Sequence, residues 1–405
     1  MGRRERPDRR GPESDTVPAV SSLGRALPLL VVAALGCSAK PPAPTRPLGY
    51  LPEAVTTAEP EWIPWSIRAG KAAATDPREV HLTELRQLTF GGENAEAYWS
   101  PDGKKLIFQS TRDGAACDQM FVMDLGDGAT TRVSSGRGRT TCGYFVFPSG
   151  KELLYASTEA SSAACPPKPD RSQGYVWPLE EHDVYVASAD GSGTRRLLGG
   201  PGYDAETTMA FDGSRLVFTS TRDGDLDLYT ARPDGSDVRR VTRDVGYDGG
   251  AFFSPDATKL VWRAARPTGP ALDRYRTLLQ QGLVEPRGLE IVVGDVDGRN
   301  ATFVTKNGRN NFAPSFFPDS RRVIFASDVH DGSGGKGPPD FDLYVVDPEA
   351  PPTTTGSPPL ERVTFAAGFD GFPMFSPDGR YVAFASNRGG ATPGETNLFV
   401  ARWVP

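Results

Sequence analysis

Apolar and polar positions follow one order six times over between residues 81 and 405. Each copy opens on an apolar stretch: "AYWS", "GYFVF", "TTMAF", "AFFS", "PSFF" or "FPMFS". A tight turn follows, then an alternating segment: "KLIFQS", "ELLYAS", "RLVFTS", "KLVWRA", "RVIFAS" or "YVAFAS". A loop of variable length leads to a third segment: "QMFVMD", "DVYVAS", "DLYTAR", "EIVVGD", "DLYVVD" or "NLFVAR". Five copies add a fourth: "TRVSS", "RRLLG", "RRVTR", "TFVTK" or "ERVTF". Short alternating runs bounded by turn residues predict β-strands. The turn itself has a local cause. In Ser-Pro-Asp-Gly, Pro presets φ, Asp bonds its own backbone and Gly accepts positive φ. The motif is therefore punctuation between two strands of a hairpin.

Aligned on this turn, the copies stand at Gly103, Gly150, Gly213, Ala257, Ser320 and Gly379, spaced by 47, 63, 44, 63 and 59 residues. A period of this size with four short strands per unit predicts an all-β fold, a six-bladed β-propeller. The last copy has no fourth segment, yet "LRQLTF" (85–90) precedes the first copy and matches "LERVTF" (360–365). The N-terminal strand is thus expected to close the last blade and remove the open edge of the ring. Loss of residues 81–90 is expected to unzip it.

Residues 1–36 read as an address. An Arg-rich start leads to "ALPLLVVAALG" (26–36). That apolar run is about half the ~20 residues needed to span a bilayer and fits the core of a secretory signal. "Ala34-Leu35-Gly36-Cys37" resembles a bacterial lipobox, which implies cleavage before Cys37 and lipidation of Cys37. Ser38 resembles the outer-membrane sorting type. The expected location is the bacterial cell envelope, lipid-anchored at the outer membrane and facing the periplasm. Residues 37–80 are rich in Pro and Ala and read as a tether, with Trp62 and Trp65 expected against the body.

The marks "LTF", "WSPDG"/"FSPDG", "STRDG" and "DLY" followed by "DG" resemble the TolB-type propeller repeat, a WD40-like repeat, over residues 81–405. That family carries a further α/β domain ahead of its propeller. Residues 38–80 are too short and too Pro-rich to supply one, so the resemblance implies the propeller and not the Tol–Pal role.

Charge narrows the functional classes. With 45 Lys+Arg against 51 Asp+Glu, the chain lacks the basic footprint of a nucleic-acid binder. The large insertions, 161–182, 264–288 and 329–341, all fall between second and third strands and so share one propeller face. Elaborated loops on a rigid scaffold are where binding usually lives. In the second insertion, Leu272, Tyr275, Leu279 and Leu283 recur near helical spacing, with Leu278 alongside, and predict an amphipathic helix over 271–284. It either packs on the propeller or offers Tyr275, Leu279 and Leu283 to a partner.

Nine residues before each turn stand Asn94, Thr141, Asp204, Asp248, Asn311 and Asp370, with Glu96 and Glu206 two residues on. This predicts a polar ring at the channel mouth. Its carboxylates suit a hard cation such as Ca²⁺ or a basic peptide. As a plainer role, they cap loops through backbone N–H groups. Gln119, Asp183, Asp227, Glu290, Asp342 and Asn397, with Arg112, Arg222 and Arg388, read as hydrogen-bond and charge pairs within blades.

Cys117, Cys142 and Cys165 all belong to blades one and two. A Cys117–Cys142 disulfide is the first expectation and Cys142–Cys165 the second. No catalytic residue emerges. His81, His182 and His330 are isolated, the sequence has no G-x-S-x-G, H-E-x-x-H or P-loop, and Ser333-Gly-Gly-Lys336 matches S-x-x-K in letters only. The expected function is binding of an envelope protein or peptide through the elaborated face. The alternative is an extracytoplasmic hydrolase or lyase, or a glycan-binding protein, using the channel mouth with or without Ca²⁺.

Overall fold

The computed structural model describes residues 67–405, apart from 169, 171, 173, 333–337 and 355. The signal segment, Cys37, Trp62, Trp65 and the 333–336 loop lie outside the described residues. Six antiparallel sheets form six blades, the first five with their strands in chain order from the centre outward. The innermost strands are Asn94–Trp99, Thr140–Phe145, Asp204–Met209, Tyr247–Phe253, Asn311–Phe316 and Asp370–Phe375. The sixth blade is completed as the sequence predicts. Leu82–Gln87 lies antiparallel to Asn397–Trp403, with Leu82 opposite Trp403 and Gln87 opposite Phe399. The pairing runs on past Gln87, where Leu88 N–H donates to the Leu398 carbonyl at 2.7 Å. A further two-residue strand, Lys71–Ala72, lies outside it.

The Ser-Pro-Asp-Gly turns close as expected. Ser100 Oγ donates to Asp102 Oδ1 at 2.6 Å, and Ser254 repeats the bond to Asp256 at 2.6 Å. Each blade core is an aromatic or aliphatic pair on the second and third strands. Phe108 faces Phe121, Phe218 faces Tyr229 and Phe384 faces Phe399 across the ladder. Their ring centroids lie 6.1, 5.7 and 5.7 Å apart. Such pairs add about 0.5–1.5 kcal/mol beyond their buried area. Arg112, Arg222 and Arg388 sit over these same rings at 5.0, 4.9 and 5.2 Å. The "STRDG" arginines therefore cap their blade cores on the face that carries the long loops, called here the loop face.

One irregularity repeats in all six innermost strands. Counted from Asn94, Thr140, Asp204, Asp248, Asn311 and Asp370, the pairing with the second strand shifts between the second and fifth residues, a β-bulge in every blade. The third residue takes a left-handed backbone: Glu96, Cys142, Glu206, Gly250, Ala313 and Phe372 have φ of 54, 54, 55, 61, 49 and 55°. Five of these carry a Cβ, which costs about 1–2 kcal/mol at such φ. A strain repeated around one ring directs attention to what the ring lines.

Three expectations need correction. The disulfide joins Cys117 to Cys165, with Cα atoms 5.8 Å apart, and Cys142 is free. Cys117 and Cys165 lie in equivalent loops of adjacent blades, which run side by side on the loop face. Cys142 sits at the bulge of an innermost strand and so belongs to the channel. The blade-two ring position is Thr140, because Thr140 opposes Ser157 as Asn94 opposes Ser110, and the blade-two turn is one residue longer. The helix is Pro270–Gln280. It ends before Gly282 (φ 69°), and Leu283–Val284 forms a short strand with Trp177–Pro178. Tyr275 and Leu278 are buried, with Leu272 and Leu279 packed beside them. Tyr275 is therefore turned into the body and is not offered to a partner, while Leu279 and Leu283 are half-buried.

Candidate functional site

The residue that opens this count in each innermost strand points into its own blade. Asn94, Asp204, Asp248, Asn311 and Asp370 are all buried. Arg222 donates to Asp204 at 2.9 Å, Arg266 to Asp248 at 2.9 Å and Arg388 to Asp370 at 2.7 Å. Arg112 and Ser110 donate to Asn94, and Ser327 to Asn311. In four blades the partner arginine stands 18 residues after the ring position, so what read as two sets is one device. Each of the three aspartates already carries a guanidinium, and a shared cation would have to displace it. The residues do not fit a Ca²⁺ ring. Among the described residues no group of three or more His, Cys, Asp or Glu side chains is arranged to hold a metal.

The third residue of each strand faces the channel instead. Glu96, Cys142, Glu206, Gly250, Ala313 and Phe372 surround a cavity of about 20 Å³, room for one water molecule. Below this ring the channel is shut. Tyr98, Tyr144 and Phe252, from three blades, touch with centroids 5.7, 5.4 and 6.3 Å apart, and all are buried. The channel is thus a blind pit that opens only at the loop face.

Charge in the pit is uneven. Glu206 accepts from Arg263, from Thr219 Oγ1 at 2.7 Å and from Gly250 N–H at 2.8 Å. Burial, the largest single influence, lowers the Arg263 pKa, but the Glu206 charge together with Tyr247 and Tyr203 outweighs it and raises the value. The Cys142 thiol, in contact with Thr141 Oγ1 at 3.3 Å, favours the charged form of Glu96. Burial, then the Glu206 charge, push Glu96 up to about 7. Burial and the two nearby carboxylates push the Cys142 thiol well above its usual range. Thr207 Oγ1 lines the same cavity, buried and without a hydrogen-bond partner.

At the rim, one wall is aromatic. Phe312, Phe341, Phe369 and Phe372 contact one another at 5.0–6.2 Å, and the last three are half-exposed. Across from them Trp177 lies over Arg263 at 5.3 Å. His182 sits beside the mouth, buried, its ring edge-on to Tyr203. Nδ1 faces the Glu180 carbonyl at 3.1 Å and so carries the proton. Burial brings its pKa down to about 4, which keeps it neutral. His330 stacks on Tyr344 away from the pit, and His81 bonds Glu361 at the chain junction.

Sequence reasoning found Glu96 and Glu206 but missed Arg263, Trp177 and the aromatic floor. A signal for Arg263 existed. The fifth residue of the second-strand segments reads Gln109, Ala156, Thr219, Arg263, Ala326 and Ala385. Its polar members are those that bond the bulges: Gln109 to Cys142 N–H, Thr219 to Glu206 and Arg263 to Glu206.

No family model matches the chain. A stretch of 112 residues is 30% identical to the Tol-Pal system protein TolB of Francisella tularensis, in subspecies mediasiatica (strain FSC147) and in subspecies holarctica (strain LVS). The match covers 27% of this chain and 22% of each of those proteins, so it spans about a fifth of their length. Among solved structures, a putative TolB from Agrobacterium tumefaciens is 18% identical, with TM-score 0.48, covering 78% of this chain and 91% of that one. TolB from Acinetobacter baumannii is 16% identical, with TM-score 0.49, covering 77% and 64%. An oligogalacturonate lyase in complex with manganese is 15% identical, with TM-score 0.46, covering 83% and 99%. The body of this chain is a six-bladed β-propeller, and a stretch of 112 residues of the chain is similar in sequence to TolB.

Proposed function

We propose that this chain is an envelope protein that binds an extended peptide segment of a protein partner across the aromatic rim of the pit on its loop face. One observation carries the reading: half-exposed aromatic rings and an acid gather at a blind mouth, on the face that also carries the long insertions. Aromatic side chains supply large rigid contact area at small entropic cost. Similarity to a Tol-Pal system protein supports an envelope setting. Attachment through a lipid on Cys37 rests on the lipobox-like sequence. Among the described residues no helix is long and apolar enough to cross a membrane.

The test is photo-crosslinking in intact cells from a reactive residue at Phe341, with one at Asp212 on the opposite face as control. A partner adduct from Phe341 that Phe369→Ala weakens supports the reading. Equal adducts from both faces, or none from Phe341, overturn it. The alternative of an extracytoplasmic hydrolase, lyase or glycan-binding protein is favoured by one feature. Glu96 holds its proton near neutral pH while Glu206 carries Arg263, and carboxyls with such divergent surroundings can serve as acid and base. Turnover of a polysaccharide that Glu96→Gln abolishes would establish it.

A further inference from the structure

Two insertions meet above the pit. That of blade four supplies the Pro270–Gln280 helix and Leu283–Val284, and that of blade two brings Trp177–Pro178 alongside. Leu179 N–H extends the pairing, donating to Gly282 at 2.7 Å. What they deliver to the mouth is the Trp177 indole, over Arg263 and edge-on to Tyr247, its centroid 6.4 Å from the Tyr247 ring. The aromatic floor closes the other end, so a ligand enters from the loop face, where this indole stands over Arg263.

The two halves of the cap are joined by a ladder two residues long. The cap rests on the body through Tyr275, Leu278 and Val284, all buried, with the Tyr275 hydroxyl donating to Asp225. So short a ladder has little stability of its own. Parts that move on binding come from the weakly held end of a fold. We propose that the cap is an autoinhibitory cover: Trp177 holds the place over Arg263 that a ligand of the pit takes, and the pit opens when 177–179 and 270–284 swing away together. This rests on the reading of the pit as the binding site. The closed cover lowers apparent affinity by the fraction of time it is shut.

The free thiol of Cys142, in the pit wall, reports the opening. The full chain is treated with N-ethylmaleimide at one pH, and the rate of modification at Cys142 is followed by peptide mass spectrometry. Trp177→Ala is expected to speed modification by about tenfold or more. Tyr275→Phe, which loses only the bond to Asp225, is expected to speed it less. If Trp177→Ala fails to fold, judged by its urea transition, Tyr275→Phe decides. Wild-type modification as fast as in the urea-unfolded chain, or unchanged rates in the folded variants, overturns the cover. No partner enters this measurement. Faster labelling without any partner adduct would therefore overturn the peptide-binding reading and leave the cover standing.

Discussion

Glu96 shows how one side chain couples the pit to pH. An unfolded Glu titrates near 4.5, whereas burial and Glu206 hold the folded group up to about 7. The folded state binds the proton more tightly, so the stability from this group is full below pH 4.5 and is lost as pH climbs to about 7. Glu96→Gln cannot titrate. It is expected to match the wild type near pH 4.5 and to exceed it at pH 8, by at most about 3 kcal/mol. Urea unfolding at the two pH values checks this, and an equal difference at both would contradict a buried, protonated Glu96. In the neighbouring blade burial also pushes the Asp370 carboxyl up, but here an arginine sits beside it. Asp370 shares Arg388 with the fully buried Glu79. Arg388→Met would leave two buried carboxylates uncompensated, and the expected loss is about 3–5 kcal/mol in the same unfolding experiment.

At the scale of the element, the parts that were legible are those with local causes. The turn at Gly103, the strand Lys105–Ser110 and the helix around Leu278 follow from spacing within a few residues. The Thr140 register was hidden by a single extra turn residue in blade two, and the helix end by Gly282. The Cys117–Cys165 bond was illegible for a different reason. It depends on two loops 48 residues apart in sequence meeting as neighbours, which only the closed ring arranges. The bond fastens the base of the blade-two insertion to blade one. A cross-link over that span stabilises by at most about 4 kcal/mol through the unfolded chain. The double variant Cys117→Ser/Cys165→Ser should therefore unfold at lower urea by about 2–4 kcal/mol of stability. Cys142→Ser should change little, within about 1 kcal/mol. If Cys142→Ser proves the more damaging, the assigned pairing is wrong.

The whole molecule depends on one seam. Each of the first five blades finishes with a strand that follows its own third strand, but the sixth borrows Leu82–Gln87 from the other end of the chain. The seam is more than a ladder. Thr89 Oγ1 donates to Asn397 at 3.1 Å and accepts from Leu398 N–H at 2.9 Å. Glu79 receives Arg388 at 3.0 Å, and Trp99 of blade one donates to the Met374 carbonyl of blade six at 3.0 Å. Without residues 67–90 the last blade exposes an unpaired edge and buried apolar faces such as Phe399 and Val400. A chain starting at Gly91 is expected to lose cooperative unfolding, seen as a broad urea transition with a reduced m-value. The seam is a matter of space, not of chain order. Because Leu82 opposes Trp403, residues 81–90 attached behind Pro405 through a short Gly-containing turn would enter the same slot as the second arm of a hairpin. That permuted chain is expected to regain a single sharp transition. Continued loss of cooperativity there would mean that the contacts of residues 67–80, such as Glu79 with Arg388, and not the Leu82–Trp403 ladder alone, close the ring.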